Sequence, residues 1–279
     1  MKILKPSRLR HGDVIGIVAP SSTPKDFSLL ENGIRYIEKN GYRVEVAKNV
    51  SHRYGYLAGT DGERTNELNA MFGNKNIKAI FVARGGYGLH RILSKIDYAL
   101  IKRNPKIVAG YSDVTALQMA LWKKCNLVSL SAPLVVEFSE KLTGEKEELF
   151  WRLLTSSKKS NFAYTLNGDY FQTFLKIKSR EGRLLGGNLS LFSTLCGTPY
   201  FPSMNNALFY CEDIGEAPYR IDRMLHQLKL ARVFKDAGGI VLGNFSDCDA
   251  FNENSLTLAQ VFADIFSAEQ CSVLSGLSY

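Results

Sequence analysis

Ser112 stands at the bend between an apolar run and a helical pattern. The segment "KIVAG" (106–110) predicts a buried strand, and a helix is predicted from Asp113 onward. A serine at such a bend can act as a nucleophile, because the tight turn exposes its hydroxyl to a ligand. Its surroundings, Gly-Tyr-Ser-Asp, differ from the G-x-S-x-G motif of α/β-hydrolases. The alternative is that Ser112 caps the helix, and the local pattern alone favours capping because serine is a preferred cap.

A second unusual turn, "RGGYG" (84–88), follows the preceding predicted strand. Glycines allow a close backbone approach, which suits amides aimed at negative charge on a ligand. The spacing matches neither a dinucleotide loop nor a Walker loop, and an ordinary strand-to-helix turn is the alternative. Taken together, the two turns predict that one supplies a nucleophile and the other an oxyanion donor.

Glu212 ends the apolar run "ALFYCE" (207–212). A carboxylate at the end of a buried strand is costly without a partner, and orienting a histidine is one use of such a group. Asp213 and Glu216 compete for this role, and pairing with Arg220 or Arg223 is an alternative for Glu212.

The proton acceptor for a serine nucleophile is not evident from the sequence. Each of the four histidines has the pattern of an ordinary surface or packed residue rather than of a base. They are His11, His52, His90 and His226.

Strand-like and helix-like segments alternate along the first half of the chain. Such alternation predicts βαβ crossovers and a parallel sheet, whose ligands bind beyond the carboxyl ends of the strands. The second half predicts a smaller α/β domain, which gives domains at 1–160 and 161–279. The predicted strands are 42–49, 106–110, 207–215 and 271–279, with two more, 13–22 and 77–88, that run into loops. The segments 183–200 and 237–247 are assigned to the second domain. The predicted helices are 26–41, 61–74, 89–104, the segment from 113, 218–234 and 255–268.

Composition excludes several classes of protein. The chain has 279 residues, 45% of them hydrophobic, without an apolar run long enough for a membrane span or a secretory signal. Its five scattered cysteines predict reduced thiols in the cytoplasm, and they show no metal-ligand spacing. The net charge is +13 over residues 1–180 and −5 over residues 181–279, without the basic runs that are typical of nucleic-acid binding.

Six segments, in this order and at this spacing, resemble the LD-carboxypeptidases, cytoplasmic serine peptidases of murein recycling whose family includes the microcin C immunity peptidases. The resemblance covers essentially the whole chain. The segments are "GDVIGIVAPSS", "YLAGTDGER", "ARGGYG", "GYSDVTALQ", "LLGGNLSL" and "EDIGEAPYRIDRML".

The resemblance implies a flavodoxin-like parallel sheet with helices on both faces, a smaller swivelling-type α/β domain, a site between them, and a homodimer. It implies that Ser112 is the nucleophile, that Glu212 is the carboxylate of a Ser–Glu–His triad, and that the amides of Gly86 and Asp113 are the oxyanion donors. The implied reaction releases terminal D-alanine from a murein tetrapeptide across an L-to-D bond. No cofactor, metal, nucleic acid or membrane partner is implied.

Two departures from the family pattern affect this expectation. The family histidine follows the last strand in a Gly-His pair, whereas this sequence ends at "SGLSY", and none of its four histidines matches that place. We therefore expect a shortened chain that is nearly inactive as it stands, since triad members act as a unit. In addition, "SLSAP" (129–133) replaces a His-Gly-Pro-like run.

Three alternative functions stay open at this point. Immunity-type cleavage of an aminoacyl-nucleotide belongs to the same family. A protein that binds muropeptides without turnover would fit the missing base, and a flavodoxin-like flavin or nucleotide binder would fit the predicted sheet and glycine turn.

Overall fold

The chain divides into two compact units, Met1–Asn161 and Phe162–Tyr279. The computed structural model describes residues 2–156, 180–249, 254–267 and 272–276. The predicted boundary at 160/161, the polar segment before it from residue 157, and the tail "LSY" lie outside these described residues.

Unit 1 contains a five-stranded sheet in which all neighbouring strands pair in parallel, in the order β2-β1-β3-β4-β5. This is the flavodoxin-like strand order, and it confirms the predicted fold class. The strands are β1 (Val14–Val18), β2 (Arg43–Val46), β3 (Ile77–Val82), β4 (Ile107–Gly110) and β5 (Leu130–Ser131).

The central strands of this sheet are nearly continuous apolar runs because both of their faces are covered. All five residues of β1 are buried, whereas the edge strand β2 alternates charged and apolar residues and is mostly exposed. The helices of unit 1 are α1 (Phe27–Lys39), α2 (Asp61–Gly73), α3 (Leu89–Ile92), α4 (Tyr98–Arg103), α5 (Val114–Cys125), α6 (Phe138–Lys141) and α7 (Gly144–Thr155).

The single helix predicted over 89–104 is wrong, because α3 and α4 are separate helices. A 3₁₀ turn follows α3, and Asp97 then begins α4 by accepting a hydrogen bond from the Leu100 amide at 2.8 Å. A side-chain cap of this kind competes with helix continuation. The short edge strand β5 was not predicted, since two residues carry no periodic pattern.

Unit 2 contains a four-stranded parallel sheet in the order β6-β7-β8-β9. Its helix predicted over 218–234 ends earlier, because Arg232 adopts a left-handed conformation (φ 64°) that separates α9 from α10. The elements are β6 (Arg183–Asn188), α8 (Leu189–Thr194), β7 (Ala207–Ile214), α9 (Pro218–Leu230), α10 (Val233–Asp236), β8 (Gly239–Ser246), α11 (Leu258–Phe266) and β9 (Ser272–Ser275).

None of the helices within the described residues combines the length and apolarity needed to cross a bilayer.

Candidate active site

Three loops of unit 1 follow the carboxyl ends of β1, β3 and β4. Strand order reverses between β1 and β3, and the crevice at such a switch point is the usual ligand site of an open α/β sheet. The loop after β1 carries Ser21 and Ser22, the loop after β3 carries Gly85 and Gly86, and the loop after β4 carries Ser112.

Ser112 has a strained backbone. Its φ is +63°, a left-handed conformation that costs a non-glycine residue about 1–3 kcal/mol. The Ser112 hydroxyl has no hydrogen-bond partner within the described part of the chain, and the residue is only partly buried. The cap position of α5 is Asp113, without a side-chain capping bond, so the interpretation of Ser112 as a helix cap is wrong.

The glycine turn after β3 packs directly against Ser112. A Cβ atom at Gly85 would lie 3.2 Å from both Cβ and Oγ of Ser112, and a Cβ at Gly86 would collide with the Ser22 hydroxyl. Gly86 also has a positive φ of 108°. Glycine is therefore required at position 86, whereas a side chain at position 85 would fit only if Ser112 moved by a few tenths of an ångström.

The amides of Gly86 and Asp113 donate no hydrogen bond to any described residue. Asp113 is buried, and a buried amide normally has a partner, whereas Gly86 is exposed and its amide is open to solvent or to a ligand. Free amides beside a serine hydroxyl can donate to a ligand oxygen. Sequence reasoning named both of these residues from the family resemblance; their status as oxyanion donors stays a prediction.

The Asp113 carboxylate joins the three loops. It is fully buried and accepts hydrogen bonds from Ser21 Oγ at 2.5 Å and from the Leu89 amide at 3.1 Å. Burial raises the pKa of Asp113, although these two hydrogen bonds oppose the shift. The sequence did not reveal this role, because residues 21, 89 and 113 meet only in the folded sheet.

Tyr111, immediately before Ser112, is held by hydrogen bonds to two charged side chains, Glu137 and Lys141. Its hydroxyl donates to Glu137 at 2.8 Å and accepts from Lys141 at 2.7 Å, and Lys141 also bonds Glu137 at 2.7 Å. Burial raises the pKa of Tyr111, so the phenol stays protonated and can donate. These contacts fasten the loop after β4 to α6.

Glu212 lies in unit 2, on β7, and is 7% exposed. The register of β7 against β8 shifts between Cys211 and Asp213, which is a bulge next to Glu212. Bulges of this kind often re-aim a side chain near a functional site.

The two competing carboxylates already have partners. Asp213 accepts hydrogen bonds from Asn188 Nδ2, from the amide and hydroxyl of Ser190, and from the Ile214 amide. Glu216 pairs with Arg220 at 3.3 Å. Asp213 therefore fixes the start of α8, and the role of Glu212 as the triad carboxylate stays a prediction.

The four histidines have separate environments. His52 contacts Glu63 at 3.0 Å, His226 contacts Asp222 at 3.0 Å, and His11 packs on the Tyr42 ring. Burial lowers the pKa of His90, and the charge of Asp113 opposes that shift. The pKa of His90 therefore responds to the charge of Asp113, the residue that follows Ser112.

Groups of three or more His, Cys, Asp or Glu side chains placed to hold a metal ion do not occur among the residues that the structure describes.

The chain belongs to the LD-carboxypeptidase family. Residues 15–132 match the model of the LD-carboxypeptidase N-terminal domain, and residues 181–279 match that of the C-terminal domain. The chain is thus a peptidase by family, and the resemblance stated from its motifs is confirmed.

Named relatives point in the same direction. A probable murein peptide carboxypeptidase of Bacillus subtilis is 38% identical over 98% of this chain and 85% of its own length. A muramoyltetrapeptide carboxypeptidase structure from Oxalobacter formigenes is 30% identical, covers 95% of this chain and 88% of its own, and has a TM-score of 0.82.

The microcin C7 self-immunity protein MccF is also similar. The protein of Escherichia coli is 28% identical over 96% of this chain and 86% of its own length. A wild-type apo structure of MccF covers 99% of this chain and 90% of its own, with 27% identity and a TM-score of 0.89.

Proposed function

We propose that this protein is a serine LD-carboxypeptidase that releases the terminal D-alanine of murein tetrapeptides. The observation that carries the proposal is the strained Ser112 with a free hydroxyl, packed against a glycine turn whose Gly86 amide is free, as is the amide of Asp113. The names of the relatives from Bacillus subtilis and Oxalobacter formigenes support a murein peptide as the substrate.

The proposed reaction proceeds through an acyl-enzyme. The Ser112 hydroxyl attacks the carbonyl carbon of the L-residue and gives its proton to an imidazole base, while the amides of Gly86 and Asp113 stabilise the oxyanion. Collapse of this intermediate breaks the C–N bond, and the departing D-alanine amine takes the proton. Water then hydrolyses the ester and regenerates Ser112.

Glu212 is proposed to orient the imidazole and to stabilise its protonated form, which is the role of the carboxylate in such triads. None of the four histidines of the sequence matches the family histidine. The proposal therefore expects weak turnover by these 279 residues alone and faster turnover when free imidazole is added as a replacement base.

The experiment measures D-alanine release from L-Ala-γ-D-Glu-L-Lys-D-Ala, with and without imidazole. Ser112→Ala should abolish the imidazole-dependent release, because the nucleophile is gone. Ser7→Ala, at an exposed serine, is the matched control and should behave as the unmodified chain does. His90→Gln tests whether His90 supplies any basal turnover. Undiminished release by Ser112→Ala would refute the proposal.

Two other functions remain testable with the same preparation. Immunity-type activity is favoured by the similarity to MccF and predicts cleavage of an aminoacyl-nucleotide in preference to the tetrapeptide. A binding protein without turnover would bind the tetrapeptide yet release no D-alanine at any imidazole concentration.

A further inference from the structure

Arg84 is the first residue of the turn that packs against Ser112. It follows Ala83, whose amide continues the ladder of β3 by bonding Val18 O at 2.8 Å, and it precedes Gly85. The Arg84 side chain is partly buried, and its Nη1 donates one hydrogen bond, to the carbonyl of Thr23 at 2.9 Å. Arg84 is therefore fixed in the same loop cluster as the proposed nucleophile.

The Arg84 guanidinium has no carboxylate partner within the described residues. Three other cations of unit 1 have carboxylate partners: Arg91 and Lys95 bind Asp61, and Lys141 binds Glu137. A guanidinium has five N–H donors in a planar fork, and the contact to Thr23 uses one of them. The remaining donors of this partly buried guanidinium can bind water or an anionic ligand, and their planar fork suits a carboxylate.

We propose that Arg84 binds the free carboxylate of the substrate's terminal residue and so restricts cleavage to the chain end. The inference rests on the proposed peptidase function. In a substrate whose scissile carbonyl meets Ser112, one residue separates that carbonyl from the terminal carboxylate, a span of about 3.5 Å along the chain. Arg84 directly precedes Gly85, at which a Cβ atom would lie 3.2 Å from Ser112 Oγ, and its side chain is held against the loop after β1 by Thr23. The planar guanidinium fork is the group that best matches a carboxylate.

The competing explanation is that Arg84 only braces the turn against the loop after β1 through the Thr23 carbonyl. The two explanations differ in their dependence on the ligand. A brace acts equally on every ligand, whereas a carboxylate anchor acts only on ligands that have a carboxylate.

The experiment is a binding cycle by calorimetry, with Ser112→Ala in every chain to prevent turnover. The ligands are L-Ala-γ-D-Glu-L-Lys-D-Ala and the same peptide ending in D-alanine amide. Without further change, the chain should bind the acid more tightly than the amide by about 10–100-fold, as expected for a hydrogen-bonded charge. Arg84→Gln should remove this preference by weakening acid binding alone. Arg84→Lys, which keeps the charge but loses the fork, should restore part of the preference.

Arg53→Gln is the matched control, since it removes the same charge from an exposed residue that follows β2. It should leave the acid-to-amide ratio unchanged. The inference is overturned if Arg84→Gln weakens both peptides equally, weakens neither, or is matched by Arg53→Gln. If the Ser112→Ala chain binds neither peptide, the proposed function fails, and this inference fails with it.

Discussion

Three carboxylates lie within five residues at the end of β7. Asp213 accepts four hydrogen bonds and Glu216 pairs with Arg220, whereas Glu212 is the carboxylate to which the family resemblance assigns the chemistry. At the scale of single residues, we expect substitution of Glu212 to lower turnover and substitution of its neighbour Asp213 to lower the free energy of unfolding.

We expect Glu212→Gln to lower imidazole-dependent D-alanine release at least about 10-fold, because an amide does not stabilise a protonated imidazole as a carboxylate does. Its free energy of unfolding should change by less than about 1 kcal/mol or increase, since the burial cost of a charge is removed. The measurements are the release assay and urea unfolding.

Asp213→Asn is the matched variant and should show the opposite pattern in unfolding. It should lose about 1–3 kcal/mol of stability, because its amide nitrogen would face either the Asn188 and Ile214 donors or the two Ser190 donors. Equal effects of the two substitutions on both stability and turnover would contradict these assignments.

Gly85 packs against Ser112, and its replacement by alanine tests whether this contact positions the serine. In Gly85→Ala the new Cβ would lie 3.2 Å from Ser112 Oγ, so the serine must shift. The shift needed is a few tenths of an ångström, and a displacement of about 1 Å can cost about 100-fold in rate, so we expect a loss of turnover of about 3–10-fold in the D-alanine assay.

Gly62→Ala is the control for that substitution. Its Cβ would meet nothing closer than 3.9 Å, and Gly62 lies within α2, where alanine is favoured over glycine. Unchanged turnover in Gly85→Ala would show that the turn does not constrain Ser112.

At the scale of elements, Asp61 joins the first turn of α2 to the segment after β3. Its carboxylate bonds Arg91 at 2.8 Å, Lys95 at 3.3 Å and Arg64 at 2.6 Å. The hydrogen bond from Arg91 is the largest cause that lowers the pKa of Asp61, from 3.8 to about 2, with Lys95 and Arg64 adding to it. Asp61 thus contributes stability that is present above pH 4.

This contribution should be lost as the pH falls from about 4 to about 2, because the folded-state pKa lies below the unfolded one. Asp61→Asn should therefore cost about 1 kcal/mol at pH 7, a value reduced for solvent screening, and little at pH 2. Urea unfolding across this pH range measures the difference. Glu31→Gln, in an exposed pair 3.9 Å from Arg35, should stay within about 0.5 kcal/mol at every pH; a similar profile for both would contradict the assignment.

At the scale of the whole molecule, the charge is concentrated in the first 180 residues, which carry +13. A murein tetrapeptide with free carboxylates is anionic, and its attraction to this charge is screened by salt. We expect its dissociation constant to rise severalfold between 50 and 500 mM salt. A peptide with glutamine in place of glutamate should respond less, and equal responses would contradict an electrostatic contribution.

The homodimer and the cytoplasmic location rest on the family resemblance and stay predictions. Sedimentation at micromolar concentration tests the first, since a dimer would have twice the monomer mass of 31.2 kDa.

The sequence by itself determined the parallel α/β class, the approximate place of most strands, and the loops at which Ser112 and Gly86 lie. These features are local or periodic: a buried strand is an apolar run, and a ligand loop follows its carboxyl end. The order and spacing of the six motifs also determined the family.

Only the tertiary structure decided which polar groups have hydrogen-bond partners inside the protein. The hydrogen bonds of Asp113 to Ser21 and Leu89, of Asp213 to Asn188 and Ser190, and of Arg84 to Thr23 join residues 23 to 92 positions apart in the chain. A hydrogen bond over such a distance leaves no periodic trace in the sequence, because it forms only when packing of the strands brings their loops together. The left-handed backbone of Ser112 was likewise set by the fold, which overrides the local preference of serine for a helix cap.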